Sequence, residues 1–183
     1  GSAYWKERRD RALVAAFLGA GIKTGEARAL TISCINTAGT SLQIESTHPD
    51  FARETHLASF AIALLEAWLT ERKRQEIPGE LVFPASHAGR PMHKATMLRA
   101  IDAIVESAGL TSSRTARASP QTLRNTYAAE LFEHDVPPER VGKWLGFMRP
   151  ISSNRLHRAW KNWRDGLADN NADGDASGID ETH

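Results

Sequence analysis

Apolar residues recur along most of this chain at the spacing of one helical face. Leu13, Ala16, Phe17 and Ala20 fall at i, i+3, i+4 and i+7, and Gly19-Ala20-Gly21 closes that stripe. Ala61, Leu64, Leu65 and Trp68 predict a second helix with the charged exit Glu71-Arg72-Lys73-Arg74. Met97, Ile101, Ile104, Val105 and Ala108 predict a third, closed by Gly109. Leu123, Tyr127 and Leu131 predict a fourth, with Ser119 as N-cap and Pro120 in the first turn. Val141, Trp144 and Leu145 form a short fifth after Pro137-Pro138. Leu156, Ala159, Trp160, Trp163 and Leu167 form a sixth.

Between the first two helices the period changes. Leu42 and Ile44 alternate with polar neighbours, and Thr55-His56-Leu57 suits a partner strand across a loop through Thr47-His48-Pro49-Asp50. Leu81-Val82-Phe83-Pro84 reads as a short extended piece. The class is therefore mainly α with a small antiparallel β-sheet.

Composition narrows this little, but charge distribution changes the picture. The 183 residues carry a net charge of +1, which hides a split. Residues 165–183 hold 6 acids and no Lys or Arg, leaving 23 basic and 16 acidic residues in 1–164. Within 114–164, 10 basic residues face 4 acids. A basic body with an acidic tail suits a nucleic-acid partner, although a solvated face has the same composition. The tail, lacking anything to bury, is expected to be disordered. Cys34 is the one cysteine, so no internal disulfide can form, as suits a reducing cytoplasm. No apolar run approaches the length that spans a bilayer, and no Cys/His spacing suggests a metal, so neither membrane nor cofactor is expected. Gly1-Ser2-Ala3 reads as a cloning scar ahead of a single domain over residues 4–164, an excised C-terminal piece.

Four segments, in this order, resemble the catalytic domain of the tyrosine recombinases, the phage integrase family. Gly19-Ala20-Gly21-Ile22-Lys23-Thr24-Gly25-Glu26 with Ala29-Leu30 is similar to the family's G-x-G-L-R-x-x-E-x-x-x-L. Leu81-Val82-Phe83-Pro84 through Gly89-Arg90-Pro91-Met92 resembles its loop before a helix. Ser119-Pro120-Gln121-Thr122-Leu123-Arg124-Asn125-Thr126-Tyr127-Ala128 resembles the P-H-x-L-R-H-T-F-A box. Trp144-Leu145-Gly146-Phe147 and then Asn154-Arg155-Leu156-His157 resemble L-G-H and the segment bearing the nucleophile.

That resemblance implies a tyrosine nucleophile that forms a phosphoester, two arginines that clamp phosphate oxygens bidentately, and Lys and His or Trp groups that move protons. Matched position by position, Lys23 stands for the first arginine, His48 falls near the hairpin lysine, and Gln121 replaces the first histidine. Arg124 matches the second arginine, Phe147 replaces the later histidine, and Leu156 occupies the nucleophile position. The two tyrosines, Tyr4 and Tyr127, lie elsewhere. One lost donor costs about 10²–10³ in rate, and a lost nucleophile removes the reaction altogether. The expectation is a fold without strand-cleaving chemistry.

Bland readings stand beside these. Arg124 either pairs with a carboxylate such as Glu26 or binds phosphate, and both can hold together. Gln121 is either a surface residue or a phosphate donor. Leu156 is expected to complete a core stripe with Ala159, Trp160 and Trp163, and Phe147 to pack. His157 offers an unusual histidine nucleophile as a remote alternative.

The resulting expectation is a catalytically inactive, recombinase-like protein that holds duplex DNA by its phosphate backbone. The contact residues would be Lys23, Arg53, Arg90, Lys94, Arg114, Arg117, Gln121, Arg124, Arg149, Arg155 and Arg158. Its role would be an accessory factor, regulator or non-cleaving subunit beside an active recombinase of a mobile element, in the cytoplasm at the nucleoid. A divergent but active recombinase and a protein-interaction module that has left DNA stay open as alternatives.

Overall fold

The protein is described by a computed structural model covering the backbone of residues 2–109 and 118–175 and the side chains of 4–109 and 118–167. Seven helices surround a small sheet among these residues. They are α1 (Ser2–Ala20), α2 (Thr24–Ala29), α3 (Ser59–Arg74), α4 (Lys94–Ser107), α5 (Pro120–Glu133), α6 (Pro138–Leu145) and α7 (Pro150–Asp175). Strands β1 (Ile35–Asn36), β2 (Ser41–Ile44) and β3 (Arg53–His56) form an antiparallel sheet in the order β1-β2-β3.

The apolar stripe of α1 is buried as its spacing demands. Leu13, Ala16, Phe17 and Ala20 are fully enclosed, against Ala61, Leu65 and Trp68 of α3. Gly19 permits the close approach of these two helices, because a Cβ there would lie 2.5 Å from the Cβ of Ala61. Trp68 Nε1 donates to the Val82 carbonyl at 2.7 Å, and Arg72 donates to the carbonyls of Leu81, Pro78 and Gly79. Those bonds hold the extended segment ahead of α4. A second apolar cluster joins Tyr127, Leu131 and Phe132 of α5 to Val141 and Leu145 of α6 and Trp160 of α7. Ser119 caps α5 by accepting the Thr122 amide at 3.1 Å, as its position before Pro120 predicted.

Several details depart from the pattern-based expectation. The hairpin register pairs Leu42 with Thr55 and Ile44 with Arg53, so the second strand starts two residues earlier than expected, at Arg53. A third strand, β1, and the six-residue α2 carry too few residues to show a period. Leu64 of the α3 stripe is exposed at 39%, and Trp163 and Leu167 are exposed at 60% and 43%, so the last stripe is buried over one part only. The domain boundary expected at residue 164 falls inside α7, which continues to Asp175. Once nucleated, a helix adds residues at little cost. Of the tail expected to be disordered, 165–175 continue α7 in the structure and 176–183 lie outside the described residues. Among the described residues no helix is long and apolar enough to cross a membrane.

Candidate nucleic-acid interface

Two glycines build the site. Gly21 ends α1 with a φ of 63°, and Gly146 ends α6 with a φ of 73°, both in the left-handed region that L side chains disfavour. A Cβ at Gly21 would lie 2.5 Å from the Tyr127 ring, and one at Gly146 would lie 2.8 Å from the Arg53 guanidinium. These turns bring the C-terminal carbonyls of two helices to one point, where their partial negative charge needs donors.

Two arginines supply the donors. Arg124, 7% exposed on α5, donates from Nε to the Gly21 carbonyl and from Nη2 to the Leu145 carbonyl, each at 2.8 Å. Arg53 on β3 donates from Nε to the Trp144 carbonyl at 2.7 Å. Its Nη1 and Nη2 reach the two carboxylate oxygens of Glu26 at 2.7 and 3.0 Å, a bidentate pair. Glu26 also accepts the Lys23 amide at 2.7 Å, closing a capping box at the start of α2.

Lys23 sits beside this pair, half-buried, with its ammonium 5.0 Å from the centre of the Phe51 ring. Phe51 in turn packs against His48, whose Nδ1 lies 3.5 Å from Asp50. The aromatic return of the hairpin thus holds the His48 loop near Lys23. Sequence reading missed Phe51; the signal was an aromatic residue in an otherwise polar loop.

The electrostatics follow from three cations sharing one carboxylate. Burial lowers the Arg124 and Lys23 pKa values, with Glu26 opposing the shift and the neighbouring cations adding to it. Burial would raise Glu26, but the hydrogen bonds from Arg53 and the Lys23 amide, with both charges, hold it below the usual carboxylate range. Arginine stays protonated throughout.

A cleft of about 380 Å³ opens beside this cluster, between α2, the start of α4 and the start of α5. Lys23, Lys94 and Arg124 line it, with Thr24, Ser119 and Gln121 as uncharged polar groups and, among the described residues, no carboxylate. Among the described residues no group of three or more His, Cys, Asp or Glu comes together as a metal site. Lys23, Lys94, Gln121 and Arg124, expected as contact residues, therefore converge. Gln121 is exposed and donates to Asn125 at 2.8 Å along α5.

Other expected contacts do not join them. Arg53 was expected on the DNA-facing surface; its side chain is 8% exposed and committed to Glu26 and Trp144. The carboxylate expected to pair with Arg124 goes to Arg53 instead, because Arg124 is satisfied by helix-end carbonyls. Arg90, Arg149, Arg155 and Arg158 are exposed outside the cleft lining. Arg114 and Arg117 lie outside the described residues. Phe147 packs against the second apolar cluster. Leu156 is half-buried in a separate cleft between α5 and α7, and Ala159 and Trp163 there are exposed rather than core.

Neither tyrosine lines the cleft. Tyr127 is buried, donates to the His56 carbonyl at 3.0 Å, and burial pushes its pKa up to about 12. Tyr4 is exposed on α1, where its hydroxyl accepts a hydrogen bond from Arg8.

A helical domain with a three-stranded antiparallel sheet and a cation-lined cleft between its helix ends has the architecture of a tyrosine recombinase catalytic domain. The sequence matches the phage integrase family over residues 4–162, and the chain belongs to that family. Among solved structures it is similar to XerA recombinase, at 20% identity and a TM-score of 0.71 over 82% of this chain and 51% of that one. The XerH site-specific recombinase bound to its difH substrate before cleavage matches at 25% identity and 0.67, over 82% and 42%. The Tn1549 transposon integrase with transposon right-end DNA matches at 14% and 0.62, over 80% and 53%. The chain thus spans about half the length of the recombinases it matches. No curated protein sequence matches it.

Proposed function

We propose that this domain binds duplex DNA through the phosphate backbone at the Lys23–Lys94–Arg124 cleft and does not cut the strand. The single observation behind this is a cleft with three cations, neutral polar groups and, among the described residues, no carboxylate in its lining. Such a lining favours a phosphodiester, and the positive end of α5 adds to it. Support for DNA as the partner comes from XerH and the Tn1549 integrase, whose structures hold their DNA substrates.

The proposed loss of cleavage rests on the residues at the family's reactive positions, Lys23, Gln121, Phe147 and Leu156. Leucine offers no nucleophile and phenylalanine no proton. On this reading the protein serves as an accessory factor, regulator or non-cleaving subunit of a mobile-element recombination system, in the cytoplasm at the nucleoid.

The test is duplex binding by fluorescence anisotropy across a salt series, followed by incubation with nicked duplex and denaturing electrophoresis. Each phosphate contact contributes about −0.9 to the slope of log affinity against log salt. A slope of about −3 or steeper is expected, reduced by about one unit in each of Lys23→Ala and Lys94→Ala. No binding at low salt overturns the DNA reading. A denaturation-resistant protein–DNA adduct overturns the loss of cleavage.

A further inference from the structure

A second cleft, of about 360 Å³, lies at the other end of α5, where the chain turns into α6 and meets α7. On α5 the first cleft reaches Arg124 and the second begins at Phe132, about 12 Å further along the helix. No residue lines both clefts.

One wall is built from α7. His157, Trp160, Lys161 and Arg164 fall at helical spacing and face the same opening. The His157 ring stacks nearly parallel on Trp160, with centroids 5.5 Å apart and planes 15° from each other. The Arg164 guanidinium lies over the Trp160 indole at 4.6 Å from the ring centroid. Trp160 is itself anchored, its Nε1 donating to Glu133 at 3.1 Å. Val136, Pro137 and Pro138 supply an apolar part of the lining, together with Phe132, whose ring lies 4.8 Å from that of His157.

Charge within the cleft is uneven. Lys161 makes no ion pair among the described residues, and Arg164 has one loose, exposed partner, Asp165, at 3.8 Å. Burial lowers the His157 pKa, and the Lys161 and Arg164 charges lower it further. Asp135, with a positive φ of 57°, also lines the cleft. An anion is therefore favoured at the Lys161–Arg164 end and disfavoured at the Asp135 end.

A cleft lined by aromatic rings, two prolines and two cations matches a ligand that is planar at one end and phosphorylated at the other. We propose that this cleft binds a nucleotide, its base between His157 and the prolines and its phosphate on Lys161 and Arg164. Asp135 then faces the base or sugar, where hydrogen-bond donors are available. The nucleotide is either a free mononucleotide or an unpaired nucleotide of a DNA strand. The site stands whether or not the Lys23–Arg124 cleft holds duplex.

Calorimetric titration of the whole chain with 2′-deoxyadenosine 5′-monophosphate tests this. Saturable binding of one nucleotide per chain is expected, weakened about tenfold or more in the exposed double variant Lys161→Ala/Arg164→Ala. The double variant Lys23→Ala/Lys94→Ala is expected to leave that affinity unchanged, which separates this site from the duplex contact. Displacement of the mononucleotide by an oligodeoxyadenylate strand would assign the site to an unpaired strand nucleotide. Failure of the strand to displace it would assign the site to the free nucleotide. The proposal is overturned by no binding, by inorganic phosphate binding equally well, or by an unchanged affinity in Lys161→Ala/Arg164→Ala.

Discussion

Arg124 Nε donates a 2.8 Å hydrogen bond to the Gly21 carbonyl, 103 residues away in the chain. That bond joins the first family-like segment to the third, and the Arg124 Nη2 bond to Leu145 joins both to the fourth. Arg124 is thus a structural tie for α1, α5 and α6 as well as part of the cationic cleft. Removing it does two things at once.

Arg124→Ala is expected to lower stability by about 3 kcal/mol, because two buried carbonyls lose their donor. Urea unfolding followed by circular dichroism measures this. A loss under about 1 kcal/mol would mean water replaces the guanidinium without cost. The phosphate contact itself is better read from Lys23 and Lys94, whose side chains are not buried.

Gly21→Ala should cost about 2–3 kcal/mol through its positive φ and the collision with Tyr127. The second apolar cluster would have to shift, since Leu145 lies 2.8 Å from the same point. Thermal unfolding of the variant beside Gly25→Ala, where a Cβ meets nothing within 4 Å, isolates the effect of that crowding and turn.

Glu26→Gln leaves Arg53 buried without a counter-charge and is expected to cost about 3 kcal/mol near neutral pH. The pH dependence has a definite sign. The folded state holds Glu26 below its ordinary value of 4.5, so its contribution is complete above that pH. It is lost as pH falls through the folded-state value. Unfolding free energies measured from pH 6 down to about 2 should show a shallower acid limb in the variant. An identical acid limb would mean that Glu26 does not carry it.

Tyr127→Phe is expected to cost about 1 kcal/mol, the loss of a hydroxyl that donates to His56 and approaches Thr55 at 3.3 Å. Because burial raises this phenol to about 12, ultraviolet titration of the folded protein should show Tyr127 ionising only near that pH. Duplex affinity should be unaltered. A large loss of affinity would make this hydroxyl part of the DNA contact.

The pattern of apolar positions was sufficient to predict six helices and the β2–β3 hairpin, because burial of one face at a fixed period is a local requirement on sequence. The four family-like segments likewise pointed to Lys23, Gln121 and Arg124 as neighbours, since each is a short contiguous motif. Partner choice was not legible in the same way. Glu26 precedes Arg53 by 27 residues and Arg124 by far more, and composition gives either arginine an equal claim on it.

Only the tertiary structure decided that Glu26 pairs with Arg53 and that helix-end carbonyls hold Arg124. The glycine turns at Gly21 and Gly146 set the positions of those carbonyls, and two turns from distant segments must meet before an acceptor exists. The second cleft has the same origin. By sequence, Trp160 belongs to a core stripe and the basic residues of this segment to a DNA-facing or solvated surface. Only the folded Pro137–Pro138 corner brings Trp160, Lys161 and Arg164 into one cleft. What a helix buries is written in its own sequence, whereas what its open face meets depends on where the rest of the chain arrives.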